Sequence, residues 1–252
     1  PPSIGALYSG EIHTFFPGTT TTMTGHQHPL SIVLRQSIDF FLHYGFELLF
    51  APEVEYTKYN FDLLNIPEDH PARDVQDTFY VKDIEYGEIL RTHTTNIQLR
   101  TMEERHPPVR VVTFGRVYRH EAQDASHEAQ FHQLDGFVIE KNSTFGQLIW
   151  LLDEYMKTIF GKSIKTRLRP HHYPFVEPGM DMDIFLQGKW LEVLGAGMIH
   201  PKVLTNMRLD PNDWQGFAFG IGIHRLLMLE FGYEDLRLGN SVDLRFLNQF
   251  QI

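Results

Sequence analysis

Side chains able to bind a nucleotide recur at alternate positions along two neighbouring stretches of the chain. The segment GRVYRHEAQDASHEAQFHQLDG is strand-like, breaks into a polar run and becomes strand-like again. Alternate residues of a strand share a face, so Arg119 and Glu121 share one face of the first arm. Phe131, Gln133 and Asp135 share one face of the second arm. If the two faces match, one surface presents a cation, two carboxylates, an aromatic ring and an amide.

This combination of side chains suits a nucleotide joined to an amino acid. Arg119 could bind a phosphate, Glu121 could accept a hydrogen bond from an exocyclic amine, and Phe131 could stack on a base. Gln133 and Asp135 would suit the ammonium group of an amino acid. A solvated hairpin, with its polar face in water, is the alternative that the spacing alone leaves open.

Three other segments favour a binding cleft. YPFVEPG places Tyr173, Phe175 and Glu177 on one face of an extended segment, as a pocket wall or as a core edge strand. WLEVLGAGM places Glu192 within an apolar strand, where a buried carboxylate needs a basic side chain or a metal.

The third segment, GFAFGIGIHRLLML, is a glycine-rich strand that runs into a helix. Its small residues Ala218, Gly220 and Gly222 would let a ligand approach the backbone closely. Arg225, in the first turn of the helix, could bind a phosphate. The segment has neither the P-loop spacing nor that of a Rossmann dinucleotide site.

Composition excludes several classes of protein. The chain has 252 residues, 42% hydrophobic and 21% charged, which favours one large α+β or α/β domain over two small ones. The net charge of −10 gives no overall basic field for nucleic acid, although a local patch or a second subunit could bind it. The absence of cysteine excludes disulfides and thiolate zinc sites, and we do not predict a zinc site at the paired histidines 26/28 and 171/172.

No apolar run of about 18 residues occurs, and the N-terminus has no secretory pattern, so we expect a cytoplasmic protein without a membrane partner.

Hydrophobic periodicity predicts the elements that must position these residues. Residues 1–27 are predicted to be a loose N-terminal segment, and residues 28–252 a single folded domain. The strands follow one another in hairpin fashion, which predicts a mostly antiparallel sheet of about six or more strands. The main predicted elements are helices at Pro29–His43, Gln147–Phe160 and Ile223–Phe231, and strands at Val109–Arg119, Phe131–Glu140, Met182–Leu186, Trp190–Leu194 and Gln215–Gly220.

The hairpin segment resembles motif 2 of class II aminoacyl-tRNA synthetases, in the form found in the phenylalanyl-tRNA synthetase alpha subunit. GFAFGIGIHRLLML resembles motif 3, and HPLSIVLRQSIDFFLHYGFELLFAPEVE resembles motif 1, with Pro52 as the motif proline. The resemblance covers about residues 28 to 250, with the motifs in order. Further similar segments are YNFDLLNIPEDHPARDVQDTFY, LRTHTTNIQLRTM, YPFVEPG, WLEVLGAGMIHPKVL and DLRFLNQF.

The resemblance implies a class II synthetase fold, and an enzyme that activates phenylalanine with ATP and esterifies the 3′ end of a tRNA. It implies that Arg119 contacts the α-phosphate, Glu121 the adenine amino group, and that Phe131 stacks on adenine. Arg225 would lie against the other face of adenine, near the γ-phosphate, and His127 would help to hold the phosphates. Arg119, Arg225 and His127 are thereby implied as catalytic residues.

The resemblance also implies Mg²⁺ as a cofactor, supported by Glu192 and Glu177. The implied amino-acid site has a polar end, an aromatic wall formed by Tyr173 and Phe175, and a floor at Ala218. The residues implied at the polar end are His93, Thr95, Gln98, Gln133 and Asp135.

Four residues depart from the family pattern near this site. Thr95 stands in place of serine, Asp135 in place of glutamate, Tyr173 in place of phenylalanine, and His224 in place of an acidic residue. Three hypotheses therefore stand: a phenylalanyl-tRNA synthetase catalytic subunit, an adenylating paralogue that uses another amino acid or acceptor, and a non-catalytic binding relative.

The family pattern also implies partners. Phenylalanine or a related amino acid and tRNA would be substrates, and a beta subunit would complete an (αβ)₂ assembly. The predicted helix Pro29–His43 corresponds to the interface element of motif 1, which predicts a homodimer for the chain alone.

Overall fold

The computed structural model of the chain describes residues 27–74, 77–81, 87–120 and 128–250, together with the backbone of two short strands nearer the N-terminus. Eleven strands are described within these parts of the chain. They are β1 (Glu11–Ile12), β2 (Met23–Thr24), β3 (Glu47–Leu48), β4 (Val54–Tyr56), β5 (Glu88–Leu90), β6 (Val109–Tyr118), β7 (Gln130–Glu140), β8 (Lys165–Pro170), β9 (Val176–Leu186), β10 (Lys189–Ile199) and β11 (Gln215–Gly222).

Helices alternate with these strands along the same parts of the chain. The α-helices are α1 (Pro29–His43), α2 (Thr57–Asn60), α3 (Ile97–Glu104), α4 (Phe145–Phe160), α5 (Pro201–Asn206), α6 (Ile223–Phe231) and α7 (Leu244–Leu247). Short 3₁₀ helices lie at Asp62–Leu64, Pro71–Arg73 and Leu236–Asn240. No helix of the described residues is both long enough and apolar enough to cross a bilayer.

Seven strands form the central sheet, in the order β3-β6-β7-β11-β10-β9-β8. The β3–β6 pair is parallel, and every other neighbouring pair is antiparallel. The predicted α+β fold with a mostly antiparallel sheet flanked by helices is therefore confirmed.

The long helices begin and end at residues that satisfy or terminate the backbone hydrogen bonds. At the start of α1, His28 accepts a hydrogen bond from the amide of Leu30 at 3.1 Å, and Pro29 occupies a position that needs no donor. Thr144 and Gln147 form a reciprocal capping box at the start of α4. Gly232, at a φ of +72°, ends α6 in the left-handed conformation that glycine adopts without strain.

Alternating residues of β11 separate a packed face of the sheet from an open one. Phe217, Phe219 and Ile221 pack into the apolar core beneath α1, α4 and α6. The residues between them are small (Ala218, Gly220), and they face the opposite side, where an apolar cluster covers only part of the sheet. Strand periodicity thus buries one side of the sheet against helices and leaves a cavity on the other.

Two strands are longer than the sequence predicts. β9 and β10 each extend over eleven residues and form a long antiparallel pair, whereas hydrophobic alternation marks only Met182–Leu186 and Trp190–Leu194. Pro178 and the glycines of these strands look like breaks in a sequence, but two register shifts between the strands accommodate them.

Candidate active site

A cavity of about 830 Å³ opens on the partly covered face of the sheet, beside β7, β10 and β11. Its volume lies within the range of about 300–1,000 Å³ that small-molecule sites occupy. It has a nucleotide end, named here for the side chains predicted to bind ATP, and an amino-acid end. The predicted residues that line it are Arg119, Phe131, Glu192 and Arg225 at the nucleotide end, and His93, Thr95, Gln133, Tyr173, Phe175 and Ala218 at the amino-acid end.

The two arms of the hairpin present their functional side chains on matching faces. Val117 pairs with Phe131 across β6 and β7, so Arg119, two residues further along, shares the face of Phe131. The Arg119 guanidinium carbon lies 5.1 Å from the centroid of the Phe131 ring. This places a phosphate-binding cation beside a ring on which a base can stack. Glu121 and His127 lie outside the described residues.

Arg225 faces the same cavity from the first turn of α6. Its Nε donates a hydrogen bond to the carbonyl of Glu192 at 2.6 Å, which holds the arginine against β10. Phe131, Arg119 and Arg225 therefore line one opening, as the alternation of the two strands and the start of the helix require.

Glu192 lies at the cavity wall but is not buried, which corrects the expectation from its apolar neighbours. Its side chain is 53% exposed and accepts a hydrogen bond from Arg169 at 2.8 Å. The reason is its position near the start of β10, where the face that carries Glu192 extends beyond the packed apolar residues. The expected basic partner is present.

Arg169 also joins Glu192 to a buried carboxylate that the sequence analysis did not single out. Asp183 pairs with Glu192 across β9 and β10, and Arg169 binds it at 2.9 Å. Burial alone would raise the pKa of Asp183, but hydrogen bonds from Arg169 and Arg167 lower it. The carboxylate therefore remains charged at the edge of the nucleotide end.

Glu177 does not share a face with Tyr173 and Phe175, which corrects the predicted alternation. The chain turns at Pro174 and Phe175 before β9 begins, so the period of two is interrupted. Glu177 is 72% exposed, contacts His200 at 3.2 Å and lines a neighbouring groove.

The separation of Glu177 and Glu192 follows from strand register. Glu192 pairs with Asp183, which lies six residues from Glu177 along β9. At the rise of a β-strand, six residues span about 20 Å. The two glutamates therefore cannot ligate the same Mg²⁺ ion in this arrangement.

Asp135 acts at the amino-acid end from behind the cavity wall. It is only 2% exposed, and its two carboxylate oxygens accept hydrogen bonds from Thr95 Oγ1 and Gln133 Nε2, both at 2.8 Å. Burial raises the pKa of Asp135, while these hydrogen bonds lower it, and burial has the larger effect. These bonds use the Thr95 hydroxyl hydrogen and one of the two Gln133 amide hydrogens, and the oxygens of both side chains keep lone pairs. Those oxygens are suited to accept from an ammonium group.

Glycine at position 220 makes room for this carboxylate. A Cβ at Gly220 would lie 2.5 Å from Asp135 Oδ1, closer than atoms can pack. Glycine therefore makes room for a protein side chain at this position, and Gly220 also lines the cavity, as Ala218 and Gly222 do.

His93 contributes a neutral imidazole to the same end. Its Nε2 lies 3.0 Å from the carbonyl of Asn60, and therefore carries the proton. Burial, reinforced by the positive charge of Arg119, lowers the pKa of His93 to about 4. The ring is thus uncharged at neutral pH. Gln98, predicted beside it, is buried on α3 and does not line the cavity.

Tyr173 forms part of an aromatic wall whose polar atom points away from it. The ring stacks between His171 and Phe175, with centroids 4.4 and 5.7 Å apart. The hydroxyl donates to Asp181 at 2.8 Å, and burial followed by this interaction raises the pKa of Tyr173. A Cβ at Gly195 would meet this hydroxyl at 2.5 Å, so glycine is required beneath it.

Buried charges hold the segment that carries His93 and Thr95. Arg91 is 2% exposed and donates to the carbonyls of Arg116 at 2.8 Å and Ala51 at 2.7 Å. On the other side of the segment, Glu55 accepts from Asn96 and from Arg100, each at 2.6 Å. These contacts anchor both ends of the segment without help from regular secondary structure.

Sequence reasoning missed the acidic residues beneath the site, although a signal was present. Asp181 and Asp183 alternate with apolar residues in the segment MDMDIF, and both are almost fully buried. Carboxylates at a period of two within a strand indicate one polar stripe on a sheet face. That stripe supports Tyr173, Arg167 and Arg169.

Comparison with known proteins assigns this fold and cavity to a class. The model of the tRNA synthetases class II core domain (F) matches residues 13–250, so the chain belongs to that family.

Three relatives agree with one another in name. The chain is 44% identical over 238 residues to a phenylalanine–tRNA ligase alpha subunit of Clostridium botulinum, covering 90% of this chain and 69% of the relative. Proteins of the same name from Caldanaerobacter subterraneus subsp. tengcongensis and Acetivibrio thermocellus are 47% identical over 239 residues and 45% identical over 240 residues. These matches cover 90% of this chain, and 69% and 70% of the relatives.

Proposed function

We propose that this chain is a phenylalanine–tRNA ligase catalytic subunit, which activates phenylalanine with ATP and transfers it to tRNA. Relatives at 44–47% identity are named phenylalanine–tRNA ligase alpha subunit, and the chain covers 69–70% of their length. We further propose that residues 28–252 form the catalytic domain and that residues 1–27 lead into it.

The hydrogen bond of the Tyr173 hydroxyl is the observation that favours an apolar amino acid as the substrate. Because Asp181 accepts its hydrogen bond at 2.8 Å, Tyr173 presents a ring face to the cavity and does not require a polar substrate group. Its stack with Phe175 gives an apolar wall suited to a phenyl side chain. The departure from phenylalanine at this position therefore does not favour a paralogue that uses a polar substrate.

The ammonium group of the substrate would bind at the opposite side of the amino-acid end. Gln133 and Thr95 offer acceptor oxygens there, since the Thr95 hydroxyl hydrogen and one Gln133 amide hydrogen are directed to Asp135. His93 and Gln98 would shape this polar end from behind, and Ala218 would leave space at the floor. In this arrangement Asp135 positions the two binding side chains.

The first reaction step needs positioning and charge stabilisation rather than a base. The substrate carboxylate is already an anion, so its oxygen can attack the α-phosphorus of ATP while the bond to pyrophosphate breaks. Arg119 would stabilise the charge on the α-phosphate, and Arg225 the charge toward the γ-phosphate. Glu121 and His127 are proposed to contact the adenine amino group and the phosphates. In the second step, a terminal ribose hydroxyl of tRNA attacks the adenylate carbonyl and AMP leaves.

Glu192 is the residue best suited to hold Mg²⁺ at this site. Its carboxylate is half exposed at the cavity wall, and oxygen ligands are those that Mg²⁺ prefers. Among the described residues, no group of three or more histidines, aspartates and glutamates could hold a metal alone. That agrees with the usual binding of Mg²⁺ through one or two carboxylates and the substrate phosphates. When bound, the ion would offset the negative charge of the leaving pyrophosphate.

ATP–pyrophosphate exchange, measured with each of the twenty amino acids, tests the proposal. We expect the rate of exchange with phenylalanine to be at least about 100-fold above the rates with the other amino acids except tyrosine. Tyrosine is the exception because an apolar wall rejects a substrate with one added hydroxyl only weakly. Exchange with a different amino acid would instead identify an adenylating paralogue. No exchange with any of them, with ATP and subunits supplied, would identify a non-catalytic relative.

Partners follow from the proposal and from an exposed apolar surface. Relatives named as alpha subunits imply a second type of subunit, and we propose a beta subunit in an (αβ)₂ assembly, with a homodimer through the α1 region for the chain alone. Phe50 is 65% exposed and packs edge-on against Phe114, and Val54 is 46% exposed. Such a surface after α1 suits an interface. Light scattering after gel filtration should give twice the chain mass, and a strict monomer would contradict the homodimer.

A further inference from the structure

Two histidines join the residues that flank the nucleotide end of the cavity. His132 follows Phe131 on β7, and His224 precedes Arg225 on α6. Nδ1 of His132 lies 3.2 Å from Nε2 of His224, and the ring centroids are 5.3 Å apart. The immediate neighbours of the stacking ring and of the guanidinium are therefore hydrogen-bonded to each other.

The pair lies where the backbone hydrogen bonds between the two elements end. Gly222 is the last residue of β11 that pairs with β7, opposite Gln133. Beyond Gly222 the chain becomes α6, and a Cβ at Gly222 would have no atom within 4 Å. Neither a ladder nor a side chain at that position ties the start of α6 to β7. The histidine pair supplies such a link at the next residue.

The carboxylate beside His224 favours one direction for the hydrogen bond between the rings. His224 Nδ1 lies 3.3 Å from Glu128 Oε2, and neither atom has a hydrogen-bond partner among the described residues. A nitrogen that faces a carboxylate carries the proton, so His224 Nε2 is left as an acceptor. His132 Nδ1 must then be the donor. The other oxygen of Glu128 accepts a hydrogen bond from Asn240 at 3.0 Å, and this bond holds the carboxylate beside His224.

Both rings are neutral, as a hydrogen bond between two imidazole nitrogens requires of at least the accepting ring. Burial lowers the pKa of His132 to about 4, with a contribution from His224. Burial also lowers the pKa of His224 to about 4. A positive charge on both rings would place two donors against each other and abolish the hydrogen bond.

We propose that His132 and His224 are positioning residues for ATP, because their hydrogen bond sets the separation of Phe131 and Arg225. The proposal rests on the proposed function only in that it takes the ligand between these side chains to be an adenine nucleotide. Neither histidine is required to touch the nucleotide. Glu128 and Asn240 serve to orient His224.

The primary experiment measures ATP binding to His224→Ala by titration calorimetry, beside steady-state pyrophosphate exchange. We expect the Kd and KM for ATP to rise about tenfold, while the KM for phenylalanine changes less than about twofold. His224→Gln can accept from His132 and donate to Glu128, so it should recover ATP binding to within about threefold of the wild type. His106→Ala, at an exposed histidine after α3, is the matched control and should leave both constants unchanged.

Coupling between the two rings gives a second test. His132→Ala should weaken ATP binding by about the same factor as His224→Ala, and the double variant should be no weaker than either single variant. His132 is only partly buried, so its variant tests the proposal even if His224→Ala fails to fold.

Three results would overturn the proposal. They are an unchanged Kd for ATP in folded His224→Ala, an equal rise in both substrate constants, and additive effects in the double variant. Calorimetry separates this outcome from failure of the proposed function. A wild-type protein that binds ATP but shows no exchange would refute the ligase assignment, whereas the effect of His224→Ala on ATP binding would still decide the role of the pair.

Discussion

The two ends of the cavity are built on different physical principles. At the amino-acid end, the decisive carboxylates Asp135 and Asp181 are almost fully buried and already hydrogen-bonded by Thr95, Gln133 and Tyr173. At the nucleotide end, Arg119 and Arg225 are half-buried, and Glu192 is 53% exposed. In the proposed function, the groups that would bind the amino acid are thus fixed in the folded chain, whereas those that would meet the phosphates remain in contact with water.

This difference separates what each end contributes. Loss of a buried acceptor leaves unsatisfied donors, and therefore lowers stability as well as binding. Loss of an exposed cation removes charge stabilisation without disturbing the core. Changes at the amino-acid end should therefore alter stability and phenylalanine binding together, and loss of a charged side chain at the nucleotide end should alter the use of ATP with little effect on stability.

The largest effect is expected for Arg119→Ala at the nucleotide end. Removal of the guanidinium beside Phe131 should lower kcat/KM for ATP in pyrophosphate exchange by about 100-fold or more, as for other groups that stabilise developing charge. Thermal unfolding should remain within about 2 °C of the wild type. Arg116→Ala is the matched control, since Arg116 lies on the other face of β6 and pairs with Glu53. A variant that unfolds readily, or one that loses only phenylalanine affinity, would remove the distinction between the two ends.

Asp135→Ala should produce the next largest effect, and at the opposite end. The Thr95 hydroxyl and the Gln133 amide would lose their acceptor, so the free energy of unfolding should fall by about 1–3 kcal/mol. The KM for phenylalanine should rise about tenfold because the acceptor oxygens lose their orientation, while the KM for ATP should hardly change. Urea unfolding and exchange kinetics measure these quantities, with exposed Asp69→Ala as the control. Unchanged stability would show that Asp135 is not the support described here.

Acid should destabilise the amino-acid end through His93. Its pKa falls from 6.5 to about 4 on folding, so the native state binds fewer protons than the unfolded state between these values. The stability that neutral His93 contributes is therefore complete at pH 7 and is lost as the pH falls toward 4. Between pH 7 and pH 5 the loss should be about 1–2 kcal/mol, allowing for partial exposure of the ring.

The variant His93→Gln isolates this contribution. Glutamine can still donate to the carbonyl of Asn60 but does not titrate, so the pH 7 to pH 5 difference in unfolding free energy should shrink by about 1–2 kcal/mol. Burial raises the pKa of Glu230 to about 7, which lowers stability as the pH rises through that value. Because Glu230 is present in both proteins, its opposing contribution cancels. Equal pH dependence in the two proteins would refute a neutral, buried His93.

The smallest effect is expected for Tyr173→Phe. Asp181 Oδ1 would lose its donor, while Oδ2 would keep its ion-pair contacts with His171 at 2.9 Å and Arg169 at 3.3 Å, so the free energy of unfolding should fall by only about 1 kcal/mol. Exchange with phenylalanine should stay within about threefold of the wild type, and the preference over tyrosine should not change. A tenfold shift in that preference would show that the hydroxyl contacts the substrate after all.

Local signals in the sequence predicted most of the framework. α1 was predicted to the residue, because Pro29 opens its apolar stripe and Gly45 follows as a stop, and α6 lies at the approximate bounds that its pattern predicted. The β6–β7 hairpin followed from period-two alternation, which also predicted the shared face of Arg119 and Phe131. These features depend on neighbours in the sequence, and a single chain contains that information.

Features that depend on distant packing could not be predicted in this way. Glu192 was expected to be buried because its neighbours are apolar. It is exposed because the apolar cluster does not cover this part of the sheet, and the extent of that cover depends on the whole fold. Glu177 was placed with Tyr173 because the turn at Pro174 is not visible as a change of period. Asp135 lies buried behind Gln133 because Gly220, on a neighbouring strand, has no side chain to occupy that space.

The structure of the chain bound to a non-hydrolysable phenylalanyl-adenylate analogue tests the central claim most directly. We predict the adenine between Phe131 and Arg225, the ammonium within hydrogen-bonding distance of Gln133 Oε1 and Thr95 Oγ1, and the phenyl ring against Tyr173. An analogue bound in the reverse direction, with adenine against Tyr173, or bound outside the cavity, would contradict the division into a nucleotide end and an amino-acid end.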